Sequence, residues 1–411
     1  MLGFLIKTRK LVLIADRVVR PRQQAGPIQR RYTLNSLAAL ASVALVAVLG
    51  SPNAPVIGGA QLAGQGVIVN GQARHLPDIK ASAWVIADAG TGQVLAAKDP
   101  HGEYRPASTL KMLTAVSLIP QLNPDSSVLA TKVAADQTPN DIGLLAGHSY
   151  QVSELFTALL TISANDAAVA LTQATGSMTR GMAIINAEAH HLQADDTNAV
   201  DPNGLDAPGQ HTSAYDLALV ARAALQLPAF MKYDQTEGGL FPITAHKKVG
   251  LWNQNSLLTG YPGGIGGKIG WTSAAGATYV GMAKRNGVTL IVTLLHCPAL
   301  SEITSAEKLL DWGFAEDGKV TPVGTLVAPL PTAAQQAAAA AAAAKRAASA
   351  LGKAHPQAAP HSSLSSPSAL AAIGFTAVAV IAVGFGFAYS RRRQPTAAQE
   401  SPPQQQRPVR R

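Results

Sequence analysis

Two uncharged apolar runs lie near the ends of this 411-residue chain, and they limit the part that can form a globular core. Residues 368–389 hold 22 residues without a charge, and Arg391, Arg392 and Arg393 follow closely. As a helix, this run would extend roughly 33 Å, which is enough to cross the hydrocarbon core of a bilayer. We therefore predict a transmembrane helix at 368–389 and a cytoplasmic tail at 390–411, because positive charge is retained on the cytoplasmic side.

The other apolar run, residues 34–50, follows a basic leader at residues 1–33. A basic segment before an apolar run is typical of an export signal or of a signal-anchor helix. The sequence leaves open which of the two it is and whether it is removed. Either way, the leader is predicted to be cytoplasmic and the segment after the run to be exported.

Residues 331–367 are low in complexity, with an alanine run followed by a stretch rich in Ser, Pro and His. Such a composition is typical of a stalk, with a helical alanine part and an irregular remainder. We expect the stalk to hold a globular domain, residues 74–330, away from the membrane. The protein is thus predicted to reside in the cell membrane, with this domain outside the cytoplasm.

The net charge of +9 is concentrated in the two ends of the chain. Residues 1–50 carry eight Lys and Arg against one Asp, and residues 391–411 carry six Arg against one Glu. The ends sum to +7 and +5, so the remaining middle carries −3. A slightly acidic middle argues against nucleic acid as a partner.

Strand patterns stand at both ends of the globular region, with helical patterns between them. Residues 84–88 and 93–97 flank a Gly-containing turn and predict a β-hairpin. Apolar residues at helical spacing predict helices at 152–160 and 215–225, and strands return at 278–283 and 288–295. We predict an α/β (α+β) domain whose sheet is closed by both chain ends around a helical insertion.

A possible nucleophile and its base lie at the start of an apolar helical pattern. Ser108 and Lys111 are three residues apart, so they share one face of a helix. A serine hydroxyl needs a neighbour to accept its proton, and a partly desolvated lysine can do so. Ser305 and Lys308 have the same spacing, but they fall in an amphipathic pattern without partner motifs, and we interpret that segment as a surface helix.

Two further motifs follow along the chain. Ser163 and Asn165 lie in a break between two helical patterns, and Lys268-Ile269-Gly270 follows a run of glycines beside a strand. Glycines there allow the backbone of a ligand to approach closely. The run lacks the Gly-Lys-Ser/Thr ending of a phosphate-binding loop, which argues against that reading.

Together these motifs resemble those of the penicillin-recognition serine enzymes, which are Ser-x-x-Lys, Ser-x-Asn and Lys-Thr-Gly in that order. The closer resemblance is to the low-molecular-mass D-Ala-D-Ala carboxypeptidases, and it spans roughly residues 78 to 315. It implies a β-lactamase/DD-peptidase-like fold, with an antiparallel sheet flanked by helices and an all-helical subdomain. The segments that carry it are 105–111, 159–168, 201–205 and 211–218.

The resemblance also implies a covalent mechanism that releases the terminal D-Ala of peptidoglycan stem peptides. Ser108 would be the nucleophile, Lys111 its base and Ser163 a proton relay. The expected substrate-binding residues are Asn165, Lys268, Gly270, Trp271 and Thr272, and the backbone N–H groups of Ser108 and Trp271 would form the oxyanion hole. β-Lactam antibiotics would act as inhibitors that acylate Ser108. No cofactor is expected, and no metal, because the His and Asp residues of the chain lack a recognisable zinc spacing.

Ile269 departs from the family pattern, because it replaces the threonine of Lys-Thr-Gly and removes a hydroxyl that would help to hold the substrate's carboxylate. Two alternatives therefore remain beside the carboxypeptidase. One is a serine β-lactamase, although no Glu-x-x-Leu-Asn segment follows Ser163. The other is a catalytically impaired protein that binds peptidoglycan. The balance between carboxypeptidase and transpeptidase activity, the stem-peptide preference and the oligomeric state also stay open.

Overall fold

The computed structural model describes residues 56–71 and 74–353. The predicted leader, the apolar run at 34–50, the transmembrane helix at 368–389 and the tail at 390–411 lie outside these residues. Within the part of the chain that is described, no helix combines the length and the hydropathy needed to cross a bilayer.

An antiparallel sheet forms the centre of the globular region, in the order β1-β3-β2-β10-β9-β8, with the short β11 also paired to β3. Two separate two-stranded sheets, β4-β5 and β6-β7, lie outside this sheet. The strands are β1 Val67–Val69, β2 Ala83–Asp88, β3 Gln93–Lys98, β4 Ser127–Leu129, β5 Ser149–Gln151, β6 Gly238–Thr244, β7 Lys247–Trp252, β8 Gly264–Thr272, β9 Gly276–Arg285, β10 Val288–Cys297 and β11 Gly324–Thr325.

The central strands are covered on both faces, which explains their almost continuous apolar sequence. Side chains alternate between the faces of a strand. In β2, Val85 and Ala87 accordingly belong to the larger core cluster, whereas Trp84 and Ile86 belong to a second cluster on the other face. The predicted hairpin and the two predicted strands near the C-terminal end of the domain are confirmed.

Most of the helices lie between β3 and β6, as the sequence predicts, whereas α8 lies between β7 and β8 and α9 follows β10. The predicted helices at 152–160 and 215–225 correspond to α3 and α6. The helices are α1 Leu110–Leu118, α2 Lys132–Ala135, α3 Val152–Thr161, α4 Asn165–Ala174, α5 Met178–His191, α6 Ala214–Ala224, α7 Pro228–Asp234, α8 Ser256–Gly260 and α9 Glu302–Glu316.

The sheet begins upstream of residue 74, the start of the domain predicted from the sequence. Strand β1 pairs with β3 at Val67, Ile68 and Val69. Just before it, the side chain of Leu62 is buried in the larger core cluster. The short β1 escapes recognition in the sequence because its pairing partner, and not its own pattern, defines it as a strand.

Two helices near the C-terminal end agree with the sequence patterns. Ser305 and Lys308 lie on α9, with Lys308 exposed. The alanine run lies within a separate helix, α10 Ala333–Lys353, whose residues 333–346 are exposed.

Candidate active site

Ser108 lies in a tight turn immediately before α1. The turn spans Ala107–Thr109 and continues directly into the helix at Leu110, so Lys111 lies almost one helical turn beyond Ser108. The Nζ of Lys111 is 2.9 Å from the Oγ of Ser108. It also donates a hydrogen bond of 2.8 Å to the backbone carbonyl of Asn203, which fixes the amine beside the hydroxyl.

Every residue of α1 is buried, and Lys111 is therefore fully removed from solvent. Burial lowers the pKa of Lys111 well below 10.5, and the positive charge of Lys268 lowers it further. The negative charge of Asp201 opposes this shift but does not cancel it. A lowered pKa increases the fraction of Lys111 that is the neutral amine, the form that can accept the proton of Ser108.

The carbonyl that orients Lys111 belongs to a turn whose role the sequence reasoning missed. The carboxylate of Asp201 accepts hydrogen bonds from the N–H groups of Asn203, at 2.7 Å, and of Gly204, at 2.9 Å. Gly204 has a φ of 83°, and a Cβ there would lie 1.8 Å from the carbonyl oxygen of Ala107. The Asp-Pro-Asn-Gly sequence is a turn signal, but nothing in it reveals that the turn packs against Ser108.

Ser163 and Asn165 lie between α3 and α4, as predicted. Ser163 has a φ of 64°, which turns the chain sharply before α4 begins at Asn165. The N–H of Asn165 donates to the carbonyl of Asn140 at 2.7 Å, and its Nδ2 donates to the carbonyl of Pro139. Within the described residues, the Oγ of Ser163 and the Oδ1 of Asn165 are buried and have no hydrogen-bond partner.

Asp166 is a second positioning residue that the sequence reasoning did not find. Its carboxylate accepts hydrogen bonds of 3.0–3.1 Å from the N–H groups of Ile142, Gly143 and Leu144. Burial raises the pKa of Asp166, although these hydrogen bonds partly counter the shift. The contact holds the loop that carries Asn140 against the start of α4.

Gly270 brings β8 into close contact with the Ser108 turn. A Cβ at this position would lie 2.7 Å from the backbone nitrogen of Ser108 and 2.5 Å from the Oγ1 of Thr278. Thr278 supports the same contact from β9, because its hydroxyl donates to the carbonyl of Pro106 at 2.8 Å. The third motif thus needs glycine because any side chain would separate the strand from the nucleophile.

Lys268, on the same strand, is buried, and its Nζ donates to the carbonyl of Ile269 at 2.9 Å. Burial lowers its pKa to about 7, and the charge of Asp234 acts in the opposite direction. Burial raises the pKa of Asp234 to about 7, while the N–H of Gly267, 2.8 Å away, and the charge of Lys268 lower it. The charge of Asp234 thus limits the fall in the pKa of Lys268, and the charge of Lys268 limits the rise in the pKa of Asp234.

These elements surround a cleft of about 520 Å³. Among the predicted site residues, those that line the cleft are Ser108, Ser163, Asn165, Gly270, Trp271 and Thr272, and Ile269 lines it as well. Lys111 and Lys268 are buried and do not line the cleft. Trp271 is 61% exposed. The hydroxyl of Thr272 donates to Asp206 at 3.1 Å, and Asp206 also pairs with Arg105 at 3.2 Å.

Within the described chain, no group of three His, Cys, Asp or Glu residues could hold a metal ion.

Residues 70–298, more than half of the chain, match the family model for D-alanyl-D-alanine carboxypeptidases. The chain belongs to this family. It is 37% identical over 259 residues to D-alanyl-D-alanine carboxypeptidase DacB2 of Mycobacterium tuberculosis, covering 61% of this chain and 88% of that protein. It is 33% identical over 253 residues to DacD of Salmonella typhimurium, covering 58% of this chain and 63% of that protein.

Solved structures of related enzymes have the same fold. A D-alanyl-D-alanine carboxypeptidase from Mycobacterium tuberculosis matches with a TM-score of 0.60 and 35% identity, covering 63% of this chain and 99% of that one. A variant of a Streptomyces DD-transpeptidase matches with a TM-score of 0.56 and 26% identity, covering 58% and 99%. The predicted family and the predicted DD-peptidase fold of an antiparallel sheet and helices are confirmed. The predicted residue roles stay predictions.

Proposed function

We propose that this protein is a serine-type D-Ala-D-Ala carboxypeptidase that releases the terminal D-Ala of peptidoglycan stem peptides through an acyl-enzyme on Ser108. The observation that carries the proposal is the 2.9 Å contact between the Oγ of Ser108 and the Nζ of a fully buried Lys111. Because burial lowers the pKa of Lys111, the hydroxyl has an adjacent group that can accept its proton. The family match supports this function over a β-lactamase.

The reaction proceeds in two acyl transfers. The Oγ of Ser108 attacks the carbonyl between the two D-Ala residues, and its proton moves to Lys111. The carbon–nitrogen bond then breaks, and the leaving amine takes a proton that the hydroxyl of Ser163 relays. Water attacks the ester on Ser108, which releases the shortened peptide and returns the proton to the serine. No redox partner is required.

The cleft supplies complementary groups for an extended peptide. The unpartnered Oδ1 of Asn165 accepts an amide N–H of the substrate, which removes the cost of leaving a buried acceptor unpaired. The N–H groups of Ser108 and Trp271 would donate hydrogen bonds to the oxyanion that develops during attack. Lys268 contributes positive charge and Thr272 a hydroxyl on the side of the leaving group. Gly270 allows the substrate and the Ser108 turn to lie close to β8.

The same nucleophile should be acylated by β-lactams, and this tests the assignment of Ser108. The full chain is incubated with a fluorescent penicillin, and the labelled peptide is identified by mass spectrometry. We expect the label on Ser108 and its loss in Ser108→Ala. Ser305→Ala is the matched control, because Ser305 has the same spacing to a lysine but lies on α9. A label that persists in Ser108→Ala, or that disappears in Ser305→Ala, would contradict the assignment.

An impaired peptidoglycan-binding protein remains the second candidate, because Ile269 lines the cleft where the family pattern has threonine. Without that hydroxyl, the carboxylate of the substrate loses one hydrogen bond. This candidate predicts no labelling of Ser108 by penicillin and no detectable release of D-Ala. Rapid labelling and release would exclude it.

We also propose that the catalytic domain acts outside the cytoplasm, tethered to the membrane by residues 368–389, with residues 390–411 in the cytoplasm. The uncharged run and the three arginines after it support this topology. In intact spheroplasts, external protease should degrade the domain but spare an epitope placed after residue 411. Protection of the domain, or loss of the epitope, would contradict the proposal.

A further inference from the structure

A buried carboxylate lies beside Lys268, at the C-terminal end of α7. Asp234 is the last residue of this helix, and the N–H of Gly267 on β8 donates to its Oδ2 at 2.8 Å. Lys268, the next residue of β8, is buried as well. Asp234 is therefore bonded to the neighbour of the lysine that is predicted to bind the terminal carboxylate of the substrate.

The backbone of β8 is irregular at two consecutive glycines, and this irregularity makes the contact possible. The pairing with β9 changes register between Gly264 and Gly266, and the φ values of Gly266 and Gly267 are 139° and 134°. A Cβ on Gly266 would lie 2.1 Å from the Oδ2 of Asp234, and one on Gly267 would lie 2.0 Å from the carbonyl oxygen of Val280. Side chains at these positions would therefore separate β8 from the carboxylate or from β9.

The other ionisable groups packed around this part of β8 belong to β9 and α1. Burial, followed by the charge of Asp234, raises the pKa of Tyr279 on β9 well above its usual range, so its hydroxyl stays neutral. On α1, burial lowers the pKa of Lys111, and the charge of Lys268 lowers it further. The Ser108 turn and α8 carry no ionisable side chain. Among the described residues, Asp234 thus provides the negative charge that acts on Lys268.

A structural role alone does not explain why residue 234 is charged. An asparagine could accept the hydrogen bond from Gly267 without the cost of burying a carboxylate. The position adds to this cost, because the dipole of a helix disfavours negative charge at its C-terminal end. What the charge of Asp234 provides is attraction to Lys268, and such attraction is stronger in a protein interior than in water.

We propose that Asp234 is a positioning residue that holds the positive charge of Lys268, so that the cleft still binds the terminal carboxylate of the substrate at neutral and mildly alkaline pH. Asp234 does not line the cleft, and it acts through Lys268. Ile269 increases the need for this charge, because it lacks the hydroxyl that would share in holding the carboxylate. This inference rests on the proposed carboxypeptidase function and adds a residue that sustains its substrate binding.

The test measures KM and kcat for diacetyl-Lys-D-Ala-D-Ala as a function of pH, with the full chain and with Asp234→Asn. In the variant, the rise of KM with pH should begin at least about one pH unit lower, because a nearby opposite charge shifts a pKa by about one to three units. At about pH 7.5, KM should be roughly five- to tenfold higher than in the wild type. The kcat should stay within about threefold, because the carboxylate is bound alike before and during the reaction.

The matched control is Asp216→Asn, which also removes a buried carboxylate. Asp216 lies on α6, where the hydroxyl of Thr197 donates to it at 2.7 Å, and its removal should leave the KM profile as in the wild type. If Asp234→Asn does not fold, Asp234→Ser, which removes the charge with a smaller side chain, is measured in its place. Loss of folding in both variants would show that the carboxylate serves the fold, and would overturn the proposal.

An unchanged KM profile in folded Asp234→Asn, or an equal shift in Asp216→Asn, would also overturn the role of Asp234 while leaving the carboxypeptidase function intact. Failure of the wild type to cleave the peptide would instead overturn the proposed function. The role of Asp234 is then read from the acylation of Ser108 by penicillin, which also carries a carboxylate. A ratio of wild-type to Asp234→Asn acylation rates that increases between about pH 5 and pH 7.5 would support the inference, and a constant ratio would refute it.

Discussion

Replacing Gly270 by alanine should disable Ser108 without touching any residue that performs the chemistry. The added Cβ would lie 2.7 Å from the nitrogen of Ser108, 2.9 Å from that of Thr109 and 2.5 Å from the Oγ1 of Thr278. Ordinary contacts begin at 3.4 Å, so the backbone of the Ser108 turn must retreat by about 0.7 Å, the difference between 3.4 and 2.7 Å. Misplacement of a reacting group by about 1 Å costs on the order of a hundredfold in rate.

The assay is the second-order rate of acylation of Ser108 by a fluorescent penicillin, with thermal unfolding followed in parallel. We expect acylation by Gly270→Ala to fall by about thirtyfold to a hundredfold. The control is Gly239→Ala, on strand β6, where a Cβ would meet nothing within 4 Å, and it should react like the wild type. If folded Gly270→Ala is acylated within about threefold of the wild-type rate, the close approach of β8 is not what positions Ser108.

Three further predictions follow from individual side chains. Ile269→Thr should raise kcat/KM for a D-Ala-D-Ala peptide by about tenfold to a hundredfold, the effect of one hydrogen bond to a carboxylate, and an unchanged or lower rate would refute the account of Ile269. The rate of penicillin acylation should rise with pH as Lys111 loses its proton. The KM for the peptide should increase above pH 7, because burial lowers the pKa of Lys268 to about 7 and the side chain then loses its charge. A KM that stays constant across this range would contradict the role of Lys268. Burial, together with the charge of Asp196, raises the pKa of Asp216 from 3.8 to about 8, so the folded chain keeps a proton that the unfolded chain releases. The contribution of Asp216 to stability is therefore fully present below pH 4 and is lost as the pH rises through about 8. In denaturant titrations, Asp216→Asn should lose less stability than the wild type between pH 4 and pH 8, and an equal loss in both would contradict this contribution.

The sequence predicted much of the fold because its signals were local. The hairpin at β2 and β3, the strands β9 and β10, and the helices α3 and α6 each have a periodic pattern within a single short window. Strand β1 was not found, since a three-residue strand becomes recognisable only through its pairing with β3.

The positioning groups of the site could not be predicted for the same reason. Ser108 and Lys111 are neighbours on one helical turn, so their spacing alone indicates that they meet. The carbonyl of Asn203 and the carboxylate of Asp166 act across long sequence separations, and nothing near them in the sequence reveals their partners.

The most direct test of the account is the release of D-Ala from diacetyl-Lys-D-Ala-D-Ala by the full chain and by its Ser108→Ala variant, measured under the same conditions. The account predicts steady release by the wild type and none by the variant. Release that persists in Ser108→Ala would show that another group performs the chemistry. No release by a wild type that is still acylated by penicillin would show that the nucleophile is active but that the D-Ala-D-Ala substrate is wrong.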